Sequence, residues 1–168
     1  MPLSLYEISV PVMINGLENT SALLELGAAF AAESGIEEPS ILKKRFWPDM
    51  MALSGQIQRA SDTAKFAAVR VGQAANVPFA DNEATVEDLR RRLAATAAFL
   101  RNVDPKGYEG REDARVLLPA PGGERVYTGA SYLLEFALPN FWFHVTTAYD
   151  LLRSTGVPIG KRHFLGWE

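Results

Sequence analysis

Pro139-Asn140-Phe141-Trp142-Phe143-His144-Val145-Thr146-Thr147-Ala148-Tyr149-Asp150-Leu151-Leu152-Arg153 reads as an aromatic-rich amphipathic helix that opens at a proline and carries one of the two histidines of the chain. Phe141, His144, Ala148 and Leu151 recur at steps of three and four, so they share one helical face. That face is apolar apart from the imidazole, which therefore points at whatever the helix packs on. The helix begins near Ser131 and is expected to bend at Pro139, which removes a backbone donor. Gly156 is its C-cap, and Pro158 follows just beyond.

Three further long helices emerge upstream. Ser4-Leu5-Tyr6-Glu7 is a capping box, and Tyr6, Val10, Met13, Leu17, Leu24 and Ala28 mark the buried face behind it. Pro11 should kink this first helix or delay its regular start, and Gly35 stops it. A connector over 36–48 includes a short helix around Ser40–Lys44. Trp47-Pro48-Asp49 then opens the second helix, with proline near the first position and an acid at the positive terminus. Leu53, Ile57, Ala60, Ala64, Ala67 and Val71 alternate steps of four and three, the narrow seam of near-parallel bundle packing. Asn76-Val77-Pro78 ends it.

Thr85-Val86-Glu87-Asp88 caps the third helix, whose inner side is Val86, Leu89, Leu93, Thr96 and Leu100. After a turn-rich link from Asn102 to Gly110, the runs Arg115–Leu118 and Arg125–Thr128 flank Pro119-Ala120-Pro121-Gly122-Gly123. They read as a hairpin whose glycines supply positive φ. The expected fold is all-α: a four-helix bundle over 1–168, one domain, with a small β-hairpin before the last helix. Residues from Ile159 onward form a tail.

Composition narrows the function classes. A net charge of -3 gives no electrostatic reason to expect a nucleic-acid partner. The absence of cysteine removes disulfides, thiolate metal sites and a cysteine nucleophile, and fits a reducing cytoplasm. The longest apolar stretch, Tyr132–Val145, is broken by Glu135, Pro139 and His144, so no membrane span is expected. The start of the chain lacks a basic region and carries an early acid, unlike a signal peptide. The expected location is cytoplasmic.

No phosphate loop, His-Glu-x-x-His pair or Gly-x-Ser-x-Gly elbow occurs. Phe141, not glutamate, stands three before His144, so a di-iron bundle is excluded. What remains is His144 with Asn140, one turn apart on a common face. Pro139 leaves the Glu135 carbonyl without its helical donor, so His144 either donates to such a carbonyl as a satisfied core residue or belongs to a site. Asn140 either caps the helix after Pro139 or joins that site. Gln56 either faces His144 across the bundle or sits with Gln58 at the rim. Asp62 and Lys65 read as a surface pair, Arg90-Arg91-Arg92 as a solvated helix face, and His163 as an exposed tail residue. Phe141, Trp142 and Phe143 are consecutive and cannot all face one core, so at least one must meet the hairpin or another subunit.

Ala137-Leu138-Pro139-Asn140-Phe141, Phe143–Tyr149, Leu152-Arg153 and Gly156–Lys161 resemble an uncharacterised bacterial domain-of-unknown-function family. So do Pro48-Asp49-Met50, Gln56-Ile57-Gln58, Ala60-Ser61-Asp62 and Asp81–Thr85. That family looks like a branch of the DinB-like superfamily of four-helix bundles, many of them metal-dependent and some of them thiol S-transferases. The likeness implies that Gln56, Asn140 and His144 occupy the positions at which relatives hold three histidines. Amide oxygens are weak, hard donors where zinc and nickel favour imidazole. The resemblance thus implies a degenerate metal site without a cofactor, which could bind a small polar ligand. It also implies, with the surplus aromatics, a homodimer. The alternatives are a metal- or thiol-dependent transferase in which His144 binds a divalent transition metal or acts as a base, and a structural or interaction module.

Overall fold

The structure, a computed structural model, describes residues 3–167. Its long helices are α1 (Leu5–Ser34), α3 (Leu53–Arg70), α4 (Val86–Arg101) and a composite last helix. The last helix runs from α5 (Gly129–Ser131) through a π-helical turn (Tyr132–Ala137) into α6 (Leu138–Ser154). Short helices α2 (Glu38–Leu42) and α7 (Lys161–Phe164) lie in the connector and near the C-terminus. The expected bundle is therefore present: α1 and α3 each pack on both α4 and α6. The hairpin, β1 (Val116–Ala120) and β2 (Gly123–Tyr127), is antiparallel and pairs Val116 with Tyr127 and Ala120 with Gly123. Its loop is Pro121-Gly122, with Gly122 at φ 87°.

The capping signals work as chemistry predicts. Ser4 and Glu7 satisfy each other's free amides, and Thr85 and Asp88 do the same. At the end of α6, Gly156 takes φ 105°, its N–H bonds the Arg153 carbonyl, and the Val157 N–H reaches the Leu152 carbonyl. That pattern is a Schellman motif. The α3 seam is buried from Leu53 to Val71, and the inner faces of α1 and α4 are buried with it.

Several boundaries differ from expectation. Trp47-Pro48-Asp49 does not open α3. The Met50 N–H bonds the Trp47 carbonyl to make a turn, and the Leu53 N–H bonds back to Lys44 before the helix begins. Proline has the same φ in the second position of such a turn as at the start of a helix, so the local signal is shared. The other end of α3 stops at Arg70, six residues before Asn76. Just beyond it Gly72 packs against the Tyr108 ring, where a Cβ would have no room. Pro11 does not delay α1, which starts at Leu5 and runs through it. Pro139 is accommodated by the π turn: the Leu138 N–H reaches back five residues to Leu133.

Three readings of charged residues also change. Arg92 is not solvated. Its side chain is 2% exposed and binds Asp81 Oδ1 at 2.8 Å, Glu83 Oε1 at 2.8 Å, Asp62 Oδ1 at 2.9 Å and Ser61 Oγ at 3.0 Å. Lys65 is buried rather than on the surface, 3.6 Å from Asp62, with its ammonium over Phe66 and Phe79. His163 is half-buried, and its Nδ1 accepts from the Gly160 N–H at 2.9 Å. The C-terminal segment is thus docked: Phe164 packs on Trp142 and Tyr149, and its carbonyl accepts from Asn19. Of the three consecutive aromatics, Phe141 enters the core, Trp142 meets this segment and Phe143 stays 56% exposed.

The approach of α1 to α6 depends on Gly16, where a Cβ would lie 2.6 Å from the buried Phe141 ring. Gly16→Ala gains about 1 kcal/mol of helix propensity but forces that ring aside, which costs about 1–3 kcal/mol. Gly55→Ala meets only the half-exposed Met51 side chain at 3.3 Å. In urea denaturation Gly16→Ala should be destabilising and Gly55→Ala neutral to stabilising; equal stabilisation by both would contradict this packing.

Candidate functional site

The α3 seam is built from small residues, with Ala60 and Ala64 fully buried, so α3 and α6 lie close together. Polar residues at the margin of such a seam must find partners across it. Gln56, Thr63 and Arg70 stand at intervals of seven along α3 and therefore line one side. Each hydrogen-bonds to the last helix, and the partner numbers fall as the α3 numbers rise, so the two helices are antiparallel. His144 Nδ1 lies 2.7 Å from Gln56 Oε1. Asn140 Nδ2 donates to Thr63 Oγ1 at 2.8 Å. Arg70 donates to the Tyr132 hydroxyl at 2.8 Å.

Of the three candidate residues Gln56, Asn140 and His144, the structure joins His144 to Gln56 directly. Gln56 is a buried partner of His144, not a rim residue. Gln58 instead donates to Glu83. Asn140 pairs with Thr63, which was not foreseen, rather than with His144 or as a helix cap. Thr63 in turn donates to the Arg59 carbonyl at 2.7 Å. The seven-residue step from Gln56 through Thr63 to Arg70 was the available signal for the two missed partners.

The direction of each bond follows from the chain of partners. Gln56 Nε2 donates to the Met51 carbonyl at 3.1 Å, so Oε1 is the atom turned to His144. An amide oxygen only accepts, hence Nδ1 carries the proton and Nε2 keeps a lone pair. Nε2 has no hydrogen-bond partner among the described residues and is not one of their buried unpartnered atoms, so it reaches solvent. Burial holds the imidazole pKa down at about 4, with the nearby Arg59 guanidinium adding to the effect. Arg59 is itself paired with Asp81 at 2.5 Å and Asp62 at 3.4 Å.

A zinc or nickel ion does not fit this donor set. Gln56 Oε1 is engaged by His144, and Asn140 offers a neutral amide where imidazole is favoured. Among the described residues no group of three or more His, Cys, Asp or Glu side chains comes together to hold an ion. The chemistry left at this point is a single, neutral, solvent-reaching hydrogen-bond acceptor.

The folded pKa lies below the value near 6.5 of an unfolded histidine, so the unfolded chain binds the proton first as pH falls. The stability contributed by neutral His144 is complete above about 6.5 and is lost as pH falls toward about 4. In an NMR titration the ring signal that disappears in His144→Gln should have its midpoint near 4. A midpoint at or above 6.5 would contradict the buried, neutral ring.

Comparison with known proteins agrees with this architecture. Residues 5–165 match the model of a family described as Domain of unknown function (DUF1993). The fold is similar to the crystal structure of a DinB family member protein from Shewanella denitrificans, with a TM-score of 0.89 and 31% sequence identity. That similarity covers 96% of this chain and 92% of the other. No functionally curated protein is matched. With the bundle, the hairpin and nearly the whole length accounted for, the chain belongs to the DUF1993 family and has the fold of a DinB family member.

Proposed function

We propose that this protein is a binding member of the DinB-like group, in which the positions of a former metal site form a self-satisfied polar seam. His144 Nε2 is the atom that meets a small polar ligand, and the ligand presents a hydrogen-bond donor to it. The carrying observation is the 2.7 Å pairing of His144 Nδ1 with Gln56 Oε1, which makes Nε2 an acceptor. An ionised carboxylate offers only lone pairs and is poorly matched to such an atom. A general-base role calls for a pKa near the working pH. At about 4 His144 is a weak base, which supports binding over catalysis. The exposed Leu134 and Phe143 on the last helix support a homodimer, and the cysteine-free composition supports a cytoplasmic setting.

Two measurements on protein purified without an affinity tag test this reading. Elemental analysis should find transition metal well below one equivalent, whereas one equivalent that vanishes in His144→Ala would contradict it. In NMR titrations, small alcohols and other donors should shift the His144 ring nitrogens, and acetate should not. His144→Gln should abolish the effect, and no response to any donor would overturn the ligand-binding role.

A further inference from the structure

A groove of about 880 Å³ lies at the other end of α3 from His144. Fourteen residues separate Gln56 from Arg70, about 21 Å along the helix axis. The floor of the groove is Ala95, Ala98, Phe99 and Asn102, which fall on one face of α4 at steps of three, one and three. Upstream, the outer surface of α4 carries Glu87, Arg90 and Arg91 in ion pairs, as a solvated helix should. Its C-terminal half presents exposed alanines and a half-buried phenylalanine instead.

The wall is the connector after α3, which crosses this apolar face without filling it. Both ends of the connector are fastened. Gln73 holds a left-handed φ of 56° and donates to the Gly107 carbonyl at 3.3 Å. A non-glycine residue keeps that conformation only where its surroundings hold it. At the far end Phe79 lies beneath the Arg92 and Lys65 cations, while Asp81 and Glu83 bind Arg92. The groove is thus fixed in shape before any ligand arrives, and its volume falls in the range of small-molecule sites.

The two ends of the groove differ chemically. Phe79 and Ala95 make one end apolar, and Asn102 and Asp104 lie at the other. The span from Ala95 to Asn102 is about 10 Å. Asn102 spends its Nδ2 on the Ala98 carbonyl, and Asp104 spends Oδ1 on the Lys106 N–H. Asn102 Oδ1 and Asp104 Oδ2 are left as acceptors, and Asp104 has no ion-pair partner among the described residues.

We infer that this groove binds a small amphiphilic amine, its apolar body lying over Ala95, Ala98 and Phe99 and its ammonium group meeting Asp104 and Asn102. The length and the charge of the polar end together select a chain of about six carbons bearing a terminal ammonium group. The site is independent of His144 and does not rest on the function proposed for it.

The test uses n-hexylamine, n-hexanol and hexanoate, titrated into the full chain and followed through alanine methyl signals in NMR spectra. Hexylamine should give saturable shifts at Ala95 and Ala98, with hexanol weaker by about threefold and hexanoate weaker still. Asp104→Asn keeps the acceptor that caps Lys106 and should lower hexylamine affinity to that of hexanol. Ala98→Gln, on an exposed helical position, should fill the groove and abolish binding of all three. His144→Gln should leave all three affinities unchanged, which separates this site from the His144 site. Equal or tighter binding of hexanoate, an Asp104→Asn variant that binds hexylamine unchanged, or no saturable shift in the groove would overturn the inference.

Discussion

The hydrogen bond between His144 Nδ1 and Gln56 Oε1 sets the chemistry of the whole α3–α6 face. It forms because a seam of alanines brings the two helices close, leaving the buried glutamine no water to turn to. Once made, it determines three properties at a stroke. It settles which imidazole nitrogen holds the proton, it occupies the amide oxygen that would otherwise be free for an ion, and it aims the remaining lone pair outward. Asn140 with Thr63, and Arg70 with Tyr132, extend the same principle along the antiparallel pair, so the margin of the seam is a row of polar pairs with His144 Nε2 left open at one end.

A second constraint works at the α3–α4 side. Arg92 is enclosed by Asp62, Asp81 and Glu83, and it also binds the Ala80 carbonyl. A buried guanidinium is tolerable only with such a full set of acceptors, and removing one side of such a cluster leaves uncompensated charge. The carboxylate of Glu83 is held below its ordinary pKa by Arg92 and Gln58 despite its burial. This cluster ties the irregular chain after α3 to the bundle. The shape of the groove over α4 depends on it, and so does the close fit of the connector ends.

How much of this the sequence disclosed depended on the range of each interaction. Capping boxes at Ser4 and Thr85, the Gly156 C-cap and the α3 seam are local patterns, and each appears in the structure as read. The failures have a common cause in tertiary contact. Trp47-Pro48-Asp49 carries the same local preference for a turn as for a helix start, and only the bond from Leu53 to Lys44 distinguishes them. Arg92 looks solvated by composition because its partners come from a loop and from another helix, and Lys65 does because the Phe79 ring that covers it comes from that loop. The missing donor of Pro139 is absorbed by a π turn that no short-range rule would select. At the candidate site, Asn140 and His144 were legible from their shared face. The Thr63 partner was not, because its seven-residue step from Gln56 shows which side of α3 it lines but not which residue meets it across the seam.

The most direct test of the account is a long-range ¹H–¹⁵N correlation spectrum of the His144 ring at neutral pH, recorded before and after one equivalent of zinc. The account predicts a neutral ring protonated at Nδ1 with an unprotonated Nε2, and a spectrum that zinc leaves essentially unchanged. A ring protonated at Nε2, or a stoichiometric zinc-induced shift at Nε2, would contradict it, because either would mean that Gln56 does not hold the imidazole as described.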